Sequence, residues 1–110
     1  MIWQKGMALV IGVYELSAQL PTDERFGLKS QITRAAVSIP SNIAEGSAKK
    51  SKKEYARFLE IALGSLFELE TQILMIDQLG YGDKQLRMSL LSVVDEEQKM
   101  LMSFIQKVEG

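Results

Sequence analysis

Apolar residues recur at helical spacing along nearly the whole chain, and no stretch alternates with the period of a strand. Trp3, Met7, Val10 and Tyr14 form one stripe of a first helix, and Leu9, Val13, Leu16 and Leu20 form its neighbour. Pro21 ends this helix, which the pattern predicts over 2–20. A second helix, 23–46, starts where Thr22 or Asp23 can cap it and puts Leu28, Ile32, Ala35, Ala36, Ile39 and Ile43 on one face. Pro40 falls inside that pattern and predicts a bend, because it removes a backbone donor and crowds the carbonyl of Ala36. Gly46 reads as the stop.

Ser51 with Glu54 spells a capping box for a third helix over 52–79. There Tyr55, Leu59, Ala62, Leu66, Leu69, Ile73 and Ile76 repeat at alternating spacings of four and three, the seam of an antiparallel bundle. Gly80-Tyr81-Gly82-Asp83 is a tight turn, with Asp83 placed to cap a fourth helix over 84–108. That helix carries Leu86, Leu90, Val93, Met100 and Phe104 on one stripe and Leu91, Val94, Leu101, Ile105 and Val108 on the next. Four amphipathic helices with short connections predict one all-α domain spanning 1–110, an up-and-down antiparallel four-helix bundle. The apolar faces of helices one and four are wider than a bundle core requires. Either the core is broad, or a second surface is covered by self-association.

Composition narrows the chemistry. The 110 residues contain no cysteine and no histidine and carry a formal charge of −1. Disulfides, thiolate metal sites and serine–histidine or cysteine–histidine catalysis are excluded. The sequence offers no catalytic residue, no metal ligand and no cofactor site, and predicts a protein that is not an enzyme. Lys5, then Gly6 to Tyr14, then Ser17-Ala18-Gln19 loosely imitates a signal peptide. Glu15 and the helical spacing argue for a structural helix instead, hence a cytoplasmic protein with no membrane partner.

One polar stripe stands out. Gln31, Arg34, Ser38, Asn42 and Glu45 share an arc of about 80° on helix two. Ser65, Glu68 and Gln72 form a matching stripe on helix three that can meet Arg34 or Asn42. Either the stripe is simply solvated, or it is a partly buried network that sets register or an interface. A small-molecule site between helices two and three is a weaker alternative. The methionines read as core or interface filler.

The segment Arg34-Ala35, Ser38-Ile39-Pro40, Asn42-Ile43-Ala44-Glu45-Gly46 resembles the characteristic run of the 23S rRNA intervening-sequence protein family. Phe26-Gly27-Leu28 and Gln31, Phe58-Leu59, Ala62 to Leu66, Glu68 to Gln72 and Gly80-Tyr81 extend the resemblance over essentially the whole chain, with helix four matching only in pattern. The resemblance implies a four-helix bundle that assembles as a homopentamer around an axial channel and has no enzymatic activity. One strongly basic branch of the family serves diversity-generating retroelements, binding the reverse transcriptase and RNA. With a sequence pI near 5.5, this chain departs from that branch.

Charge is unevenly placed. Lys49, Lys50, Lys52, Lys53 and Arg57 stand against Glu54 alone, a local charge of +4 over 49–57. From residue 58 onward nine acidic residues face four basic ones, and Asp95-Glu96-Glu97 is the densest acidic spot. Such a cluster can pair with phosphates, so these five residues are the candidate nucleic-acid contact. The plainer reading is a solvated loop, because Tyr55 is the one nearby aromatic and the seam claims it. The sequence therefore predicts a homo-oligomeric scaffold for RNA or a ribonucleoprotein. The rivals are a protein-binding adaptor without nucleic-acid contact and an accessory subunit of a reverse transcriptase.

Overall fold

The computed structural model describes all residues from Met1 to Gly110. Four helices follow in order: α1, Ile2–Ser17; α2, Leu28–Ser47; α3, Lys52–Leu79; and α4, Lys84–Glu109. α1 packs on α2 and α4, and α3 packs on α2 and α4, with no diagonal contact. The result is an up-and-down bundle measuring 43 × 24 × 18 Å. Its long axis matches the ~42 Å that α3 spans at about 1.5 Å per residue.

The seam of α3 is the centre of the core. Leu59, Ala62, Leu66, Leu69, Ile73 and Ile76 are all fully buried. Around them close Leu9, Val13 and Leu16 of α1, Ile32, Ala36 and Ile39 of α2, and Val94 and Leu101 of α4. Two caps follow the sequence signals. The Glu54 N–H donates to Ser51 Oγ at 3.1 Å, and the Leu86 N–H donates to Asp83 Oδ2 at 2.9 Å. Gly80 ends α3 with φ +73°, the left-handed conformation that lets the chain reverse there.

Three boundaries differ from the sequence reading. α1 ends at Ser17 and not at residue 20, and Ala18 to Leu20 make a turn that still buries Leu20. Helix two does not start at residue 23. Thr22–Glu24 form a single 3-10 turn, and α2 begins at Leu28. Neither Thr22 nor Asp23 caps it; the Leu28 N–H donates instead to Glu24 Oε1 at 3.1 Å. Gly46 is not a stop but lies inside α2, where a Cβ would stand 2.8 Å from Phe58 Cβ. Its smallness allows close approach of α2 and α3, a packing role that sequence punctuation does not reveal. Pro40 is buried within α2, which continues through it to Ser47.

The wide apolar faces have two different outcomes. On α4 both stripes are largely taken up by the core: Leu90, Val94, Leu101 and Ile105 are buried, and Leu86, Leu91, Val93, Phe104 and Val108 are partly buried against it. On α1 the outer stripe stays open: Trp3, Met7, Ile11 and Tyr14 are 40–67% exposed. A broad intramolecular core therefore accounts for α4 and not for α1.

Candidate functional site

The antiparallel order brings the start of α1, the loop between α2 and α3, and the last turns of α4 to one end of the bundle. Here lies a groove of about 1000 Å³, with Trp3 on α1, Tyr55 on α3, and Met100 and Phe104 on α4 among its walls. The Tyr55 and Phe104 rings meet edge to face, 5.8 Å apart at 75°. Lys99 and Lys107 are the only charged side chains lining the groove, and Ser47 and Ser103 add hydroxyls. Lys99 is also paired with Asp95 one turn back on α4, at 3.1 Å.

The five predicted basic residues surround this end without forming one patch. Lys49 Nζ lies 5.1 Å from the Phe58 ring centre, and the Arg57 guanidinium 5.9 Å from it. Both are on the side where α3 meets α2, and each gains a cation–π contact that holds its position. Lys52 and Lys53 lie on the other flank, beside Glu60 and Glu109, which offset part of their charge. Lys50 is exposed in the loop. The aromatic neighbour of the predicted cluster is therefore Phe58, while Trp3 and Phe104 line the groove with Lys99 and Lys107.

The polar stripe splits in two. Ser38, Asn42 and Ser65 come together: Asn42 Nδ2 donates to the Ser38 carbonyl at 2.8 Å and to Ser38 Oγ at 2.9 Å, and Ser38 Oγ and Ser65 Oγ are 2.8 Å apart. With Ser38 Oγ accepting from Asn42, its own proton is free for Ser65, and the α2–α3 seam gains a directed chain of bonds. Gln31, Arg34, Glu45 and Glu68 are exposed, and no ion pair links Arg34 to Glu68. Neither Arg34 nor Asn42 bonds to helix three directly: Arg34 has no ion pair there, Asn42 bonds only Ser38 on its own helix, and Ser38 makes the one link across, to Ser65. Gln72 is buried, and its Oε1 has no hydrogen-bond partner.

Two charged residues in the interior were not anticipated. Arg87 is 6% exposed and staples the turn: Nε donates to Asp77 Oδ1 at 2.9 Å, and Nη1 donates to the carbonyls of Tyr81 and Gly82 at 2.5 and 2.6 Å. Glu97 is fully buried, and neither carboxylate oxygen has a hydrogen-bond partner. It faces α1 at Gly6, where a Cβ would be 3.5 Å from Glu97 Oε2 and from Pro40 Cβ. Burial pushes the carboxyl up from 4.5 to about 7, against the opposing pull of Lys5 and of the amino group of residue 1. The signal for Glu97 was in its spacing, since it stands three after Val94 and four before Leu101, a seam position.

No helix is long and apolar enough to cross a membrane. The fold and this end of the bundle define a class: a four-helix bundle with an open aromatic and cationic end. The chain belongs to the 23S rRNA-intervening sequence protein family, whose profile matches residues 1–103. Among solved structures it is similar to a protein of unknown function from the S23 ribosomal protein family of Bacteroides thetaiotaomicron VPI-5482. The TM-score is 0.88 at 24% identity, covering 96% of this chain and 98% of that one. At that identity the likeness establishes the shared fold. No protein of curated function matches the chain.

Proposed function

We propose that this protein is a non-enzymatic, homo-oligomeric scaffold that binds RNA or a ribonucleoprotein through the end of the bundle where α1, the α2–α3 loop and α4 converge. The observation that supports this reading is the excess of cations distributed around that end. Lys49, Lys50, Lys52, Lys53 and Arg57 come from the loop and the start of α3, and Lys99 and Lys107 come from α4. Phosphate contacts need only positive charge within reach, and several weak contacts add up when copies are joined. Self-association is supported by the exposed Met7, Ile11 and Tyr14 on α1, an apolar stripe the chain does not cover itself. The family resemblance favours a pentamer.

The test is fluorescence anisotropy with a labelled RNA at two salt concentrations, comparing the native chain with one in which Lys49, Lys50, Lys52 and Lys53 are changed to Glu. Binding that weakens with salt and is lost in the variant is expected. No binding at low salt would leave a protein-binding adaptor as the better reading. Light scattering on the same samples reads the oligomer, and a monomeric mass at micromolar concentration would overturn the self-association.

A further inference from the structure

We infer that the groove at this end of the bundle takes unpaired bases, so that the nucleic acid it binds is single-stranded. The inference rests on the RNA-binding reading above and adds what the groove selects. Three aromatic rings, those of Trp3, Tyr55 and Phe104, line one cleft, and its only charged side chains, Lys99 and Lys107, are both cations. No carboxylate side chain lines it; Asp95, one turn back on α4, is engaged by Lys99, and Lys107 has no such pair. The chain leaves the groove at Ser47 and enters the loop bearing Lys49 and Lys50, which extends the positive charge beyond the groove's edge. Apolar and aromatic walls within a cationic surround are what a single strand requires, with bases stacking on the rings while lysines follow the phosphates. A duplex keeps its base faces stacked inside and presents its backbone and the polar edges of its bases, which have no use for an apolar cleft. At about 1000 Å³ the groove is at the upper end of cavities that hold small organic ligands, so nucleobases fit in it. Trp3 is 44% exposed, leaving part of its surface open to a partner. An acidic amphipathic peptide is the competing occupant. Three aromatic rings in one cleft favour the base, with the exposed Trp3 as the stacking surface and the Tyr55–Phe104 pair as the wall behind it.

Trp3 is the only tryptophan in the chain, so the groove carries its own probe. The full chain is titrated with an unlabelled 15-nucleotide single-stranded RNA and with a duplex of the same length, following tryptophan fluorescence and, separately, anisotropy of labelled strands. The single strand should quench Trp3 and bind about tenfold more tightly than the duplex. Trp3→Ala should weaken single-strand binding about tenfold and leave the salt slope unchanged, because the phosphate contacts remain. Trp3→Phe should recover most of the loss, which separates stacking from disturbed packing. Binding of both forms with equal affinity and no quenching would overturn the groove assignment and leave the RNA scaffold standing. Absence of any RNA binding at low salt would overturn both. Quenching by an acidic amphipathic peptide and not by RNA would assign the groove to a protein partner and overturn the inference.

Discussion

Glu97 offers the sharpest test of the core. Its carboxyl is fully buried without a hydrogen-bond partner, and burial lifts it from 4.5 to about 7. In the unfolded chain it ionises at its ordinary value. Below about pH 4.5 both states are protonated and the residue costs little. Between that and pH 7 the unfolded chain loses the proton and the folded one keeps it, so the folded state binds more protons and stability falls as pH rises. Above about pH 7 both are ionised, and the loss levels off. Moving the carboxyl from 4.5 to about 7 corresponds to about 3 kcal/mol, at about 1.4 kcal/mol per tenfold in proton affinity.

Glu97→Gln keeps the shape and removes the titration. Thermal or urea unfolding of the native chain and the variant should be compared at equal protein concentration from pH 4.5 to 8.5. The two should be close at pH 4.5. At pH 8 the variant should be more stable by a few kcal/mol, about 10 °C in Tm for a domain of this size. Taking the difference between the two proteins cancels the titration of every other carboxylate. Parallel pH curves would refute the reasoning, because they would mean that water or a counter-charge reaches Glu97 in the folded state.

Three further outcomes follow from the packing. Arg87→Met removes the guanidinium from Asp77 and from the Tyr81 and Gly82 carbonyls, and should cost about 3 kcal/mol in urea unfolding, with faster amide exchange in the 80–83 turn. Gly46→Ala and Gly64→Ala should have opposite signs. The first drives a methyl to 2.8 Å from Phe58 Cβ and should cost about 1–3 kcal/mol, while the second meets nothing within 4 Å and should add up to about 1 kcal/mol to helix stability. A double-mutant cycle on Ser38→Ala and Ser65→Ala should return a coupling of about 0.5–1 kcal/mol, whereas Arg34→Ala, on an exposed side chain, should stay within about 0.5 kcal/mol of the native chain.

The features legible in the sequence are those whose cause is local. The α3 seam needs only its own spacing, and the Ser51 and Asp83 caps need only a side chain three residues from an orphan N–H. The start of α2 was misread because two mechanisms compete over 22–28. Thr22 and Asp23 can cap from the helix entrance, yet the chain makes a 3-10 turn and lets Glu24 reach Leu28 from further back. Gly46 looks like a helix stop until Phe58 is known to lie against it. The groove was not legible, since Trp3, Tyr55 and Phe104 are far apart in sequence and meet only because the bundle is antiparallel.

Glu97 is a different case, because its seam spacing was available and the neighbouring Asp95 and Glu96 hid it in what reads as a solvated acidic run. Its position relative to the rest of the bundle has a consequence. At the turn end the polar groups are matched: Arg87 takes the carbonyls of Tyr81 and Gly82, Asp83 caps α4, and the Gln19 amide oxygen accepts from the Asp83 N–H at 2.7 Å. Away from the turn, buried polar atoms lack partners at Gln72 on α3 and at Glu97 near the middle of α4, and one turn beyond Glu97, at Met100, the open groove begins. Proteins whose local and global preferences otherwise agree tend to break the agreement where they function. By that criterion Glu97, the one buried carboxylate without a partner, is where this bundle departs furthest from stability. An E97Q chain that is more stable at pH 8 yet binds RNA as before would show that the carboxylate's cost is separable from the groove's task.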